Sequence, residues 1–192
     1  MIRDLLGGRM QSAGGFCTEF GTGKDGNLSG CFLMPAAMAG GVEGLEKACF
    51  LDMKSFPPAH DNEVFRGLGV RLLEEAVWYP FTVLDEVGGI DLIIPQFRDA
   101  LDRLLSSELP ILGVLKSRED SEQMRRLLGP GPRYTAFYDR LFEQLSSDRN
   151  TEIFMISEDA GKEAGEEISA WIAEYAAMPE LREIEFRAET GR

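Results

Sequence analysis

The segment spanning residues 81–115 constrains the fold most. Phe81-Thr82-Val83-Leu84 is an apolar run closed by Asp85-Glu86 and then Val87-Gly88-Gly89. A strand buried on both faces of a parallel sheet reads as such a continuous run rather than as an alternation. After Ile90-Asp91-Leu92, Pro95 opens a stretch in which Phe97, Ala100, Leu101, Leu104 and Leu105 recur at helical spacing, and a second apolar run follows at residues 109–115. Strand, crossover helix and strand form a right-handed βαβ unit, which predicts two parallel strands in one sheet. Ligands of such sheets bind beyond the carboxyl ends of the strands, where Asp85 and Glu86 fall.

Two adjacent carboxylates at that place fit metal-assisted phosphate chemistry. The first, Asp85, is the candidate to hold Mg²⁺ on the phosphates, directly or through water. The second, Glu86, is the candidate to orient or deprotonate an attacking water. A strand ending in Asp-Glu before a Gly-Gly turn is also common in α/β proteins without this chemistry, and it is the βαβ context that favours the functional reading. Asp91, two residues into the next segment, reads as a cap or ion-pair partner of the turn rather than as a third ligand.

The remaining chain supplies the rest of an α/β domain. A short helical fragment covers residues 2–10, and two strand-like stretches, 15–20 and 28–34, flank the glycine-rich turn 21–27, as in a hairpin. A third strand is predicted at 48–53. Asp61 or Asn62 caps a helix whose inner side carries Val64, Phe65, Leu68, Leu72, Leu73 and Val77. Beyond residue 115 the pattern predicts a helix over 120–128, a break at Gly129-Pro130-Gly131-Pro132 and a helix presenting Phe137, Leu141, Phe142 and Leu145. A strand at 152–156 and a helix over about 158–177 follow. The reading is one domain, residues 1–178, with a charged tail at 179–192.

Composition excludes several classes of partner. With 33 acidic against 20 basic residues the net charge is −13, which argues against nucleic acid or an anionic membrane surface. No apolar stretch is long enough to span a bilayer and the amino terminus lacks the apolar core of a secretory signal, so a cytoplasmic location is expected. Cys17, Cys31 and Cys49 are too few and too widely spaced for a disulfide framework or a zinc site, and read as plain thiols.

Two features invite over-reading. Residues 21–26 fit the pattern G-x-G-x-x-G, but a dinucleotide fingerprint needs a helix opening at the glycines, and here a strand follows. Lys24 in that turn is read as solvated. His60 follows Pro57-Pro58-Ala59 and reads as a surface loop histidine. Trp78, Tyr79 and Trp171 read as packing residues.

The order of segments resembles the small stand-alone nucleoside-triphosphatases of the P-loop class, of the cancer-related nucleoside-triphosphatase type. Ala13-Gly14-Gly15-Phe16-Cys17-Thr18-Glu19 is similar to that family's glycine-phenylalanine-x-threonine-glutamate segment. Residues 83–92 resemble its aspartate-glutamate-isoleucine-glycine segment, which is the Walker B region. Residues 95–101 and 110–116 are similar to the helix and strand that follow. The resemblance implies a three-layer RecA-like α/β sandwich with a mainly parallel sheet and a β-hairpin near the amino terminus. It implies that Asp85 coordinates Mg²⁺ and that Glu86 is the base, with Thr18 and Glu19 at a strand end facing the same nucleotide cleft. The implied reaction is hydrolysis of nucleoside triphosphates such as ATP or GTP, slow and tolerant of the base.

The chain departs from the family in one respect. Family members begin with a strand, a glycine-rich phosphate loop ending in Gly-Lys-Thr or Gly-Lys-Ser, and a helix. Here Gly23-Lys24 is followed by Asp25 and Gly161-Lys162 by Glu163, so the first strand and phosphate loop are expected to be missing. That loop supplies the backbone N–H cradle and the lysine on which phosphoryl transfer depends. Three readings follow: a hydrolase whose loop comes from an upstream segment or a partner chain, a nucleotide-binding or regulatory subunit of the same fold, or an unrelated metal-assisted phosphohydrolase.

Overall fold

The computed structural model describes residues 2–24, 26–55, 57–127, 135–154 and 161–176. Six strands form one sheet in the order β4-β3-β2-β1-β5-β6. They are β1 (Ala13–Thr22), β2 (Leu28–Pro35), β3 (Ala48–Asp52), β4 (Ala59–His60), β5 (Phe81–Val87) and β6 (Ile111–Leu115). The β1/β5 and β5/β6 pairs are parallel, as the βαβ pattern requires, whereas β1/β2, β2/β3 and β3/β4 are antiparallel. The sheet is therefore mixed rather than mainly parallel: β1 to β4 are consecutive in the chain and neighbours in the sheet, and each reverses direction on its predecessor. In the first of these turns Gly23 donates to the Asn27 carbonyl at 2.7 Å. No helix opens at these glycines, and the chain enters β2 at Leu28.

Strand alternation in β1, β2 and β5 divides their side chains between two cores. Phe16, Leu33 and Leu84 face a cluster with Phe65, Leu72, Phe97, Leu101, Tyr138 and Leu141. Ala13, Cys17, Met34, Phe81 and Val83 face Ile2, Leu6, Met10, Ile168 and Ile172. The first face is thus covered by the helical run from α3 (Asn62–Val64) to α4 (Val70–Glu75), by α5 (Pro95–Leu105) and by α7 (Thr135–Ser147). The second carries α1 (Ile2–Leu6), a 3₁₀ turn, the short α2 (Ala36–Ala39) and α8 (Gly161–Trp171). Helices on both faces of one sheet make the three-layer α/β arrangement expected from the sequence.

Local chemistry explains the element ends. Asp61 is the cap: its side chain accepts from the Glu63 N–H at 2.9 Å, an arrangement worth about 1 kcal/mol. Pro95 occupies the first turn of α5, where a missing N–H costs nothing. The helix read at 120–128 is α6 (Arg118–Leu127), capped by Ser117, whose hydroxyl accepts from the Asp120 N–H at 3.0 Å.

Some expectations change or lie outside the described residues. Residues 152–154, read as part of a strand, join no ladder. Alternating apolar residues prepare a strand, but hydrogen bonding needs an adjacent edge. Residues 155–156, the break at 129–132 and the tail at 179–192 lie outside the described residues. So do the ends of the last predicted helix, of which α8 and a π turn (Ile172–Ala176) are described.

Candidate functional site

β5 is the middle strand of the parallel section β1-β5-β6, and its carboxyl end carries Asp85 and Glu86. The two carboxylates have different surroundings. Asp85 continues the alternation of Phe81 and Val83. Its Oδ2 accepts from the Thr18 N–H at 3.4 Å and lies 3.9 Å from the Arg3 guanidinium of α1. Arg3 also donates to the Thr18 carbonyl, which ties α1 to the middle of β1, where Thr18 and Glu19 lie rather than at the strand's end. Burial pushes the Asp85 carboxyl above its ordinary value, against the Thr18 N–H and Arg3, which favour the ionised form.

Glu86 is turned the other way. The ladder slips between Leu84 and Val87, with one extra residue on β5, so this edge carries a β-bulge. Glu86 has φ +62° and is the one non-glycine residue with positive φ among the described residues. A side chain in that conformation costs about 1–2 kcal/mol, and such strain concentrates at functional sites. The bulge aims Glu86 at Lys116, which follows β6, with Nζ 3.4 Å from Oε2.

The turn after the carboxylates is held from inside. Asp91 is 4% exposed and accepts from the Gly88 and Gly89 N–H groups at 3.3 and 2.7 Å. It caps the turn, as its position suggested. Ser121 of α6 donates to the Gly88 carbonyl at 2.8 Å, and Gly88 has φ +108°.

Thr18, Glu19, Glu86 and Lys116 line one cavity of about 40 Å³ whose wall includes Phe16 and Phe65. Ligand pockets for drug-sized molecules run to about 300 Å³ or more, so a nucleotide would lie across the mouth rather than inside. Three of the four predicted residues thus meet at one opening, and Asp85 joins them through the Thr18 amide. Glu19 is engaged by Lys47 at 2.6 Å.

Among the described residues no group of three or more His, Cys, Asp or Glu side chains is gathered as for a metal held by protein alone. Mg²⁺ on a substrate needs only one or two carboxylates, the other positions going to phosphate and water. Asp85, four-fifths buried at its side chain and raised by that burial, is an oxygen donor that gains from an added cation.

His60 is not a loop residue. It sits on β4, its ring stacked on Phe65 at 6.4 Å and 7°, with Nε2 buried and without a hydrogen-bond partner. The residues around it gave no sign of this, since Phe65 approaches from a helix. Burial lowers its pKa below the ordinary 6.5, although Asn62 and Asp61 favour the charged form. The unfolded chain therefore takes the proton first. The contribution to stability is present above pH 6.5 and is lost as the pH falls towards the lowered value. Between pH 7 and 5.5 the melting temperature is expected to fall less in His60→Phe than in the wild type. Equal slopes would refute the assignment.

Sequence reasoning missed Arg3 and Lys116 as neighbours of the carboxylates. The available signal was a basic residue directly following the second parallel strand. The three cysteines are free, with Cys17 and Cys31 buried and Cys49 exposed. Burial, with Asp85 nearby, pushes the Cys17 thiol up to about 12. No described helix is long and apolar enough to cross a membrane. A family model described as NTPase matches residues 1–135. No curated protein and no solved structure matches the chain.

Proposed function

The chain belongs to the nucleoside-triphosphatase family whose model it matches over residues 1–135, and on that premise we propose that it acts in Mg²⁺-dependent hydrolysis of nucleoside triphosphates such as ATP or GTP. The observation that carries this is the delivery of Asp85 and Glu86 at the carboxyl end of the middle parallel strand, with a bulge turning Glu86 to the cavity. Asp85 is the metal-holding carboxylate, oriented by the Thr18 N–H. Mg²⁺, when bound, neutralises charge on the phosphates. Glu86 accepts a proton from the attacking water or orients it. Thr18 and Glu19 border the cofactor-binding side of the opening.

Residues 1–192 contain no Gly-Lys-Thr or Gly-Lys-Ser sequence. We assign the phosphate cradle of the working enzyme to an upstream segment or a partner chain, and place the protein in the cytoplasm. Without the cradle the two carboxylates hold Mg-nucleotide weakly. The small size of the cavity, about 40 Å³, favours a second reading, a catalytically inactive nucleotide-binding or regulatory subunit.

Titration calorimetry with a nonhydrolysable ATP analogue tests the proposal. Binding is expected to require Mg²⁺ and to disappear in Asp85→Asn. A raised carboxyl pKa contributes stability that is present below the ordinary carboxylate range and lost as pH rises through the raised value. At neutral pH the ionised Asp85 is therefore a cost, and Asp85→Asn is expected to melt a few degrees higher while losing the ligand. Binding indifferent to both Mg²⁺ and Asp85 would sink the assignment. No binding by the folded chain would favour the regulatory reading.

A further inference from the structure

Lys116 has no part in the roles given above, yet its position is tightly set. Its N–H donates to the Val87 carbonyl at 2.8 Å, which extends the β5/β6 ladder past the bulge. That bond fixes where the side chain starts. The ammonium reaches 3.4 Å from Glu86 Oε2 and lines the same cavity as Thr18 and Glu19, with the side chain 22% exposed. Its charge is also felt by Asp91 and Cys31, both of whose pKa values it lowers against their burial. Asp91, Glu86 and Glu19 make this end of the sheet acidic, in a chain whose net charge is already −13.

A triphosphate brings several further negative charges, and repulsion between close charges is strong where water is partly excluded. A cation must therefore face it on the Glu86 side, and Lys116 is the cationic side chain lining that cavity. A lysine ammonium has three donors. With one given to Glu86, two remain for oxygens across the cavity mouth.

We propose that Lys116 binds the terminal phosphate of a nucleoside triphosphate while it holds Glu86 beside the attacking water, so that it reads the length of the phosphate chain. This rests on the nucleotide reading given above. The ammonium bridges two acceptors, a phosphate oxygen and Glu86 Oε2. No bond is made or broken at Lys116.

The test titrates the full chain with a nonhydrolysable Mg-ATP analogue, Mg-ADP and inorganic tripolyphosphate, up to millimolar ligand. Wild type, Lys116→Met, Lys116→Arg and Asp85→Asn are compared, each checked for its circular dichroism spectrum and melting temperature. A hydrogen bond to a charged group predicts that Lys116→Met binds the triphosphates about tenfold more weakly and the diphosphate within about twofold of wild type. Lys116→Arg should recover part of the difference.

Equal weakening for di- and triphosphate is the mark of a merely structural lysine and overturns the proposal, as does unchanged triphosphate binding in Lys116→Met. If Lys116→Met does not fold, the Lys116→Arg comparison decides: a preserved preference for triphosphate supports the proposal, and a general loss overturns it. Triphosphate binding that depends on Lys116 but on neither Mg²⁺ nor Asp85 keeps this assignment and removes the metal-nucleotide reading. The reverse pattern removes Lys116 alone. No binding of any probe by the folded wild type overturns both.

Discussion

Gly15→Ala is expected to destabilise the protein by at least about 3 kcal/mol, because both backbone strain and a main-chain clash come with one methyl group. Gly15 has φ +80°, a conformation that side chains rarely adopt, and a Cβ there would lie 2.2 Å from the Val83 carbonyl oxygen and 2.8 Å from Thr82 Cγ2. Neither neighbour can retreat, since Gly15 pairs with Val83 in the seam between β1 and β5. The seam has to open. Three residues further along β1 and two along β5, the Thr18 N–H meets Asp85, so Mg-nucleotide binding should fall together with stability. Gly8→Ala is the control: no atom lies within 4 Å of its Cβ position, and a change within about 0.5 kcal/mol is expected. Urea unfolding midpoints decide between them, and similar midpoints for the two variants would refute the account.

Phe97→Ala is expected to cost about 3–5 kcal/mol, the usual price of removing a buried aromatic and leaving a cavity. Phe97 is 0% exposed. Its ring centroid lies 5.9 Å from that of Phe16 on β1 and 5.3 Å from that of Phe65, edge to face. It also meets the backbone of the helical run closely, since a Cβ at Gly69 would be 3.1 Å from the ring. One side chain thus joins α5, the β1 strand and the helix beneath the cavity. Domains are stable by only about 5–15 kcal/mol in total, so the variant should unfold at much lower urea. Phe142 is 39% exposed, and Phe142→Ala should lose no more than about 2 kcal/mol. A Phe97→Ala loss as small as that of Phe142→Ala would mean that the core closes over the gap or that Phe97 does not bridge these elements.

The most legible part of the chain was residues 81–115. A continuous apolar run, a Pro-initiated amphipathic helix and a second apolar run led to β5, α5 and β6 with parallel pairing, and put Asp85 and Glu86 at a strand end. The hairpin, the Asp61 cap and the turn-capping place of Asp91 were also readable, because each depends on residues a few positions apart. His60 and the mixed pairing of the sheet were less so. A sequence pattern reports which face of an element is apolar, but it does not report which element arrives to cover it.

The sequence by itself determined the elements and their order: local propensity, turn chemistry and hydrophobic period act within about a dozen residues and need no partner. Only the tertiary structure decided the surroundings of the carboxylates. The bulge that sends Glu86 to Lys116 arises from a mismatch between the β5 and β6 ladders. The Arg3 and Thr18 contacts of Asp85 join α1, β1 and β5 across separations of 67 residues or more. Electrostatic interactions depend on distance in space and on exclusion of water, and neither quantity is written along the chain. The carboxylates were visible in the sequence for that reason, while their counter-charges became visible only when the strands were placed side by side.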